Sequence, residues 1–297
     1  MKARVSPAQL QGTVRVPASK SHSIRALLIA SLAEGESRIR EPLNSTDTTA
    51  CVRACRSFGA EIEEHHDEAG EIAALTVHGL GGPPKVPDDV IDVENSGTTL
   101  YLLTTTAALA PGWTVFTGDA SIRNRPAGPL LEALRALGAG AFSTRGDGKP
   151  PYCIGGPFAG PGGPAGPGGS EGSEPPTGDE RYASIECRTS QYLSSLLLGL
   201  PLAPGESVID VPLLYERPYV EMTTWWLDSQ EIRYEHEELQ HFRIPGEQRY
   251  RPIDTRIPGD FSSATFLLCA AAVTGSTLAL DGLDMADPQG DKAVIEI

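Results

Sequence analysis

Four apolar blocks punctuate the chain, each opened by a cluster of Ser, Thr, Gly, Asp or Lys. They are SKSHSIRALLIASLAEG (19–35), NSGTTLYLLTTTAALAPG (95–112), TSQYLSSLLLGLPLAPG (189–205) and GDFSSATFLLCAAAVTG (259–275). Each is too long and too continuously apolar for an alternating strand and predicts a helix. Each helix is expected to close on its glycine, the residue that most readily takes the left-handed conformation. At the opposite end, the first backbone N–H groups of a helix lack intrahelical acceptors and carry the positive end of its dipole. Set beside hydroxyl and basic side chains, such starts predict anion binding, and several on one cleft would suit a small, multiply charged substrate.

A second, amphipathic helix is predicted in each unit, over 47–62, 127–142 and 220–235, with the fourth beginning at 291–297. Between helices, the alternating segments 37–43, 114–121 and 207–213 read as strands. Units open near residues 20, 97, 190 and 262, at spacings of 77, 93 and 72, so an αβ unit repeats and no short-period solenoid fits. The long middle spacing has a local cause: residues 155–178 are rich in Gly and Pro, hold almost nothing apolar and are expected to form an inserted loop without helix or strand. The last residues read as the first turns of a helix whose apolar face has barely begun, so the final unit is expected to be incomplete.

Composition narrows the function. The net charge of −15 disfavours a general nucleic-acid surface. An anionic substrate would therefore need a local basic pocket. Only 5 of the 24 basic residues are lysines, so Lys20, between Ser19 and Ser21 at a helix start, stands out as a ligand candidate. No signal sequence or membrane span is expected, and the chain reads as cytoplasmic. The five cysteines, Cys51, Cys55, Cys153, Cys187 and Cys269, are scattered and read as free thiols. The His65–His66 pair reads as part of a polar turn. No metal site is expected.

The segment VPASKSHSIRALLIASLAEG resembles the N-terminal signature of the EPSP synthase (3-phosphoshikimate 1-carboxyvinyltransferase) family. So do, in order, LNSTDTT, ENSGTT, TGDASIRNRPAGPLLEALRALGA, SQYLSSLLL, ERPYVEMT and IPGDFSSA. A sister family acting on UDP-N-acetylglucosamine has Lys-Asn at the first motif and a cysteine in the loop matching 119–125. This chain has Lys20-Ser21 and no cysteine there.

The resemblance implies an α/β (α+β) fold of two domains built from βαβαββ repeats. The first domain would be complete over 18–258, and the second partial, from 1–17 and 259–297. It implies transfer of the enolpyruvyl group of phosphoenolpyruvate to the 5-hydroxyl of shikimate 3-phosphate by a monomer when full length, with these two small molecules as its partners. No cofactor, nucleic acid or membrane is implied. Lys20 would touch both substrates and assist proton transfer. Ser21, Arg25, Thr189, Ser190, Gln191 and Tyr219 would hold shikimate 3-phosphate; Gly97, Arg125 and Gln191 would serve phosphoenolpyruvate. The family's catalytic aspartate and glutamate have no counterpart here, so this chain is expected to have little activity alone. UDP-N-acetylglucosamine transfer, or a non-catalytic phosphosugar-binding fragment, are the alternatives. Ala18, His22, Tyr101 and Glu216 depart from the family pattern.

Overall fold

The computed structural model describes residues 8–158 and 180–297. After β1 (Gln11–Arg15), three units follow the same order. The first holds α1 (Lys20–Leu32), β2 (Glu34–Arg40), α2 (Thr46–Ser57), β3 (Glu61–His66) and β4 (Ile72–Leu80). The second holds β5 (Ile91–Asp92), α3 (Gly97–Ala107), β6 (Trp113–Thr117), α4 (Gly128–Ala136), β7 (Gly140–Ser143) and β8 (Tyr152–Gly155). The third holds β9 (Arg181–Cys187), α5 (Ser190–Gly199), β10 (Ser207–Leu214), α6 (Arg217–Ser229), β11 (Glu235–Glu237) and β12 (His241–Ile244). A further strand and helix, β13 (Asp254–Arg256) and α7 (Phe261–Thr274), lead to β14 (Thr277–Asp281) and a 3-10 helix at Gly290–Glu296.

The repeat is exact in topology. The second unit orders its sheet β5-β6-β8-β7 and the third β9-β10-β12-β11, each with one parallel and two antiparallel pairings. In the first unit β13 takes the leading place, giving β13-β2-β4-β3 with the same pairing senses. The chain's first strand instead lies parallel to β14, with Gln11 opposite Thr277. The fold is therefore mixed α/β, made of βαβαββ units.

Local chemistry sets the helix starts. Ser19, Ser45, Ser96, Thr189 and Asp260 each accept a first-turn backbone N–H on the side chain, the capping pattern of short oxygen-bearing residues. Helices α1, α3 and α5 are buried nearly all round, as their continuous apolar sequences demand, whereas α2, α4 and α6 bury one face. Hydroxyls inside the buried helices are satisfied locally: Ser31 and Thr104 donate to the carbonyls of Leu27 and Leu100, four residues back. A Cβ at Gly199 would overlap Thr105, so the close approach of α5 to α3 needs glycine there. At the far ends of the three core helices, Leu32, Leu109 and Leu202 line one cavity of about 300 Å³, so like ends of α1, α3 and α5 lie together.

Some expectations need correction. Of the four apolar helices, α7 alone closes on a left-handed glycine, Gly275 at φ 61°. Helices α1, α3 and α5 end earlier, on Ala33, Ala108 and Leu200. After α1 the chain turns directly into β2, and after α5 it passes into a 3-10 turn at Leu200–Leu202, so no left-handed residue is needed at either cap. His65 and His66 belong to β3, and the polar turn follows them at 67–71. Within 155–178, Gly155 ends β8 and Phe158 is buried; the remainder of that predicted loop lies outside the described residues. The closing 291–297 segment is 3-10 rather than α-helical. Among the described residues no helix is long and apolar enough to cross a membrane, and no group of three His, Cys, Asp or Glu is placed to hold a metal.

Candidate active site

The polar starts of α1, α2 and α3 meet through one carboxylate. Asp47, in the first turn of α2, lies 3.9 Å from Lys20 Nζ and accepts a 2.9 Å hydrogen bond from Ser96 Oγ, the cap of α3. Lys20 is the first residue of α1 and its side chain stays exposed, so its charge is available at the mouth of the site. Ser21 beside it is half-buried.

Over the start of α3 lies Arg125. A Cβ at Gly97 would overlap its guanidinium, so any side chain there would displace the arginine head from this position. Among the described residues Arg125 has no ion-pair partner. Its loop is held from two sides. Asp119 takes the Ile122 N–H and the Asn95 amide, contacts that keep its carboxyl below the usual range. Tyr101 and Tyr192 both donate to the carbonyl of Pro126, at 2.7 and 2.5 Å, and burial pushes the Tyr101 phenol up to about 12. The rings pack edge to face at 5.2 Å. Tyr101, where the family resemblance led one to expect arginine, therefore positions the neighbour of Arg125.

Arg25 is the deepest charge of the zone, with only 2% of its surface exposed. Its Nε donates to Thr223 Oγ1 at 2.9 Å and its Nη1 to the Ser21 carbonyl at 3.0 Å. Nη2 donates to Ser194 Oγ and to the Tyr219 carbonyl. Every one of these acceptors is neutral, and among the described residues no carboxylate pairs with it. Burial lowers its pKa to about 10, a cost that only an anion nearby would offset. Because its partners come from α1, α5 and α6, Arg25 also ties those helices together.

At the start of α5, Ser190 is buried while Thr189 and Gln191 are half-buried. Gln191 Oε1 is a buried acceptor with no hydrogen-bond partner among the described residues, an atom that a ligand hydroxyl would satisfy. The Thr189 and Ser190 donors are already engaged by the Glu216 carboxylate. Tyr219 is half-buried and donates its hydroxyl to Asp291 at 3.1 Å, so it faces the last segment of the chain rather than open solvent.

That segment makes a second attachment. Trp226 Nε1–H donates to His22 Nδ1 at 3.0 Å, which leaves His22 Nε2 to carry the proton toward Asp287, 3.2 Å away. His22 and Asp287 are both buried. The contacts fall into two groups: Lys20 and Gly97 with Arg125 at the start of α3, and Ser21, Arg25 and Tyr219 bonded between α1 and α6, with Thr189 and Ser190 tied to Glu216. The Gln191 side chain bonds to none of the others among the described residues. Sequence reasoning gave no role to Asp47, Tyr192 or Asp287, since a contact between distant segments has no local signal.

A family model described as EPSP synthase (3-phosphoshikimate 1-carboxyvinyltransferase) matches residues 5–297. The chain is 49% identical over 297 residues to a 3-phosphoshikimate 1-carboxyvinyltransferase of Acetivibrio thermocellus, and 42% identical over 301 residues to one of Methanosarcina acetivorans. Each match takes in 100% of this chain and 64% of the relative, so the chain spans just under two thirds of the relatives' length. A solved structure of EPSP synthase from Acinetobacter baumannii superimposes with a TM-score of 0.76 at 27% identity, covering 97% of this chain and 59% of that one. Motifs, repeat topology and relatives agree: the chain belongs to the EPSP synthase family.

Proposed function

We propose that this chain serves the transfer of an enolpyruvyl group from phosphoenolpyruvate to the 5-hydroxyl of shikimate 3-phosphate, and that it supplies the shikimate 3-phosphate wall of the site with part of the phosphoenolpyruvate site. The observation that carries this reading is Arg25, a fully buried guanidinium among neutral acceptors from three helices, α1, α5 and α6. A phosphate or carboxylate there compensates a charge the protein leaves unpaired.

In the reaction the methylene carbon of phosphoenolpyruvate is protonated while the 5-hydroxyl attacks C2 and gives up its proton. The tetrahedral adduct then loses a proton from the new methyl group and expels inorganic phosphate, restoring the double bond. Bringing two anions together requires fixed positive charge and oriented donors. Lys20, exposed at the mouth of the site, takes the role of bridging both substrates and moving a proton. Arg125 over Gly97 holds a carboxylate or phosphate of phosphoenolpyruvate bidentately. Ser21, Arg25, Thr189, Ser190, Gln191 and Tyr219 surround shikimate 3-phosphate. On this reading residues 18–258 are one domain, 1–17 and 259–297 belong to another, and the enzyme, when full length, works as a cytoplasmic monomer.

Isothermal titration of the chain with shikimate 3-phosphate tests it. Binding is expected, with loss of at least about tenfold in affinity for Arg25→Ala or Lys20→Ala, since charge-assisted hydrogen bonds contribute about 1.5–3 kcal/mol each. UDP-N-acetylglucosamine is expected not to bind. Failure to bind shikimate 3-phosphate would overturn the reading.

A further inference from the structure

The start of α5 is not an open anion site, because the chain fills it with a carboxylate of its own. Glu216 Oε2 accepts hydrogen bonds from Ser190 N–H at 3.1 Å, Ser190 Oγ at 3.0 Å and Thr189 Oγ1 at 3.3 Å. The proposed function places these donors around shikimate 3-phosphate, and this inference rests on that reading; a backbone N–H and two hydroxyls at a helix start suit the phosphate of that ligand. Glu216 reaches them from the residue preceding α6, in the left-handed conformation at φ 57° and ψ 43°. Left-handed backbone is costly for a residue with a Cβ. The side-chain attachment to α5 accompanies that conformation and holds the α6 start against the α5 start.

A phosphate group asks for the same donors and carries more charge. It cannot share them with Glu216, because two anions at contact distance repel and neither would keep a full set of hydrogen bonds. One must leave. Glu216 is exposed, so its carboxylate has a path to solvent, whereas Ser190 is buried and stays where it is.

We propose that Glu216 is a specificity-determining residue for the phosphorylated substrate: its carboxylate occupies the phosphate position in the ligand-free chain and is displaced when the phosphate binds. Affinity for a phosphorylated ligand is thereby set below what the Thr189–Ser190 donors alone would give. A non-phosphorylated analogue, which does not compete for those donors, escapes the penalty. Glu216 therefore narrows the preference for shikimate 3-phosphate over shikimate.

The test titrates the chain and its Glu216→Gln and Glu216→Ser variants with shikimate 3-phosphate and with shikimate, after circular dichroism shows that the variants fold. Glutamine keeps the length of the side chain and removes the charge; serine removes both the length and the charge. Shikimate 3-phosphate is expected to bind at least about tenfold tighter to both variants, while shikimate changes by less than about threefold. Equal or weaker binding of shikimate 3-phosphate by the variants overturns the proposal and leaves the site reading standing. Absence of shikimate 3-phosphate binding in all three proteins overturns the site reading, and this proposal with it.

Discussion

Helices α3 and α7 are built from nearly the same sequence pattern and meet opposite fates. Each starts at an oxygen-bearing cap and continues as an apolar block studded with small residues and hydroxyls. Every residue of α3 is buried, between α1, α5 and the sheet of the second unit. In α7 only Phe261 and Ala264 are buried, and Phe266 and Val273 stand 79% and 83% exposed. An apolar helix is stable in water only where neighbours cover it on every side. Burial is thus a property of the surroundings, and three core helices have here what the fourth lacks.

Thiol chemistry gives the largest expected contrast between the two environments. Cys269 lies exposed on α7, while Cys51 and Cys55 are buried together on α2. Hydrogen bonding to Cys55 and burial push the Cys51 thiol well above its ordinary value. A thiol-specific reagent at neutral pH is expected to label Cys269 at least about a thousandfold faster than Cys51, because the latter reacts only through unfolding. Mass-spectrometric mapping of the labelled residues checks this; comparable rates would mean that α2 is as open as α7.

Next in size are truncations on the two helices. Leu102→Ala, at a fully buried position of α3, is expected to lower stability by about 3 kcal/mol, since removal of a buried leucine leaves a cavity. Phe266→Ala on α7 should stay within about 0.5 kcal/mol. Urea denaturation of the two variants measures both, and equal losses would show that α7 is packed in solution.

The smallest effect concerns how the end of the chain is attached. Burial opposes the charge on Asp287, but the His22 contact and the Gln289 N–H outweigh it and leave the carboxyl below its ordinary value. A carboxyl depressed by folding adds stability that is fully present above its unfolded pKa of about 3.9. That stability is lost as pH falls through the lower folded value. Trp226, bonded to His22, should report a fluorescence change in that acid range, and Asp287→Asn should remove it. An unchanged acid transition in the variant would detach Asp287 from this role.

The helices, their capping residues and the repeat were legible because each rests on local chemistry: a hydroxyl before an apolar run, or alternation in a segment such as 207–213. Identical local chemistry could not separate α3 from α7, because the difference lies in neighbours from distant segments. In the site, Arg25 and Lys20 stood out by residue type and motif. Glu216 was visible only as a departure. Its hold on α5 depends on a left-handed backbone that glutamate rarely adopts, and no sequence pattern announces that. Tyr101 followed the same course: its exchange for arginine was readable, and its grip on Pro126 required the packed pair of helices.

The position of β13 carries a consequence for synthesis. Arg38 on β2 pairs with Asp254, and Gln11 on β1 with Thr277. More than two hundred residues separate the partners in each case. At about 5–20 residues per second, the edge of β2 waits about 10–40 s on the ribosome before its partner exists. The middle unit closes its sheet from neighbouring segments, so it can fold as it emerges, while the earliest-made unit is the last to be sealed. Between those moments the nascent chain carries an unpaired parallel edge, the kind of surface that chaperones cover and aggregates exploit.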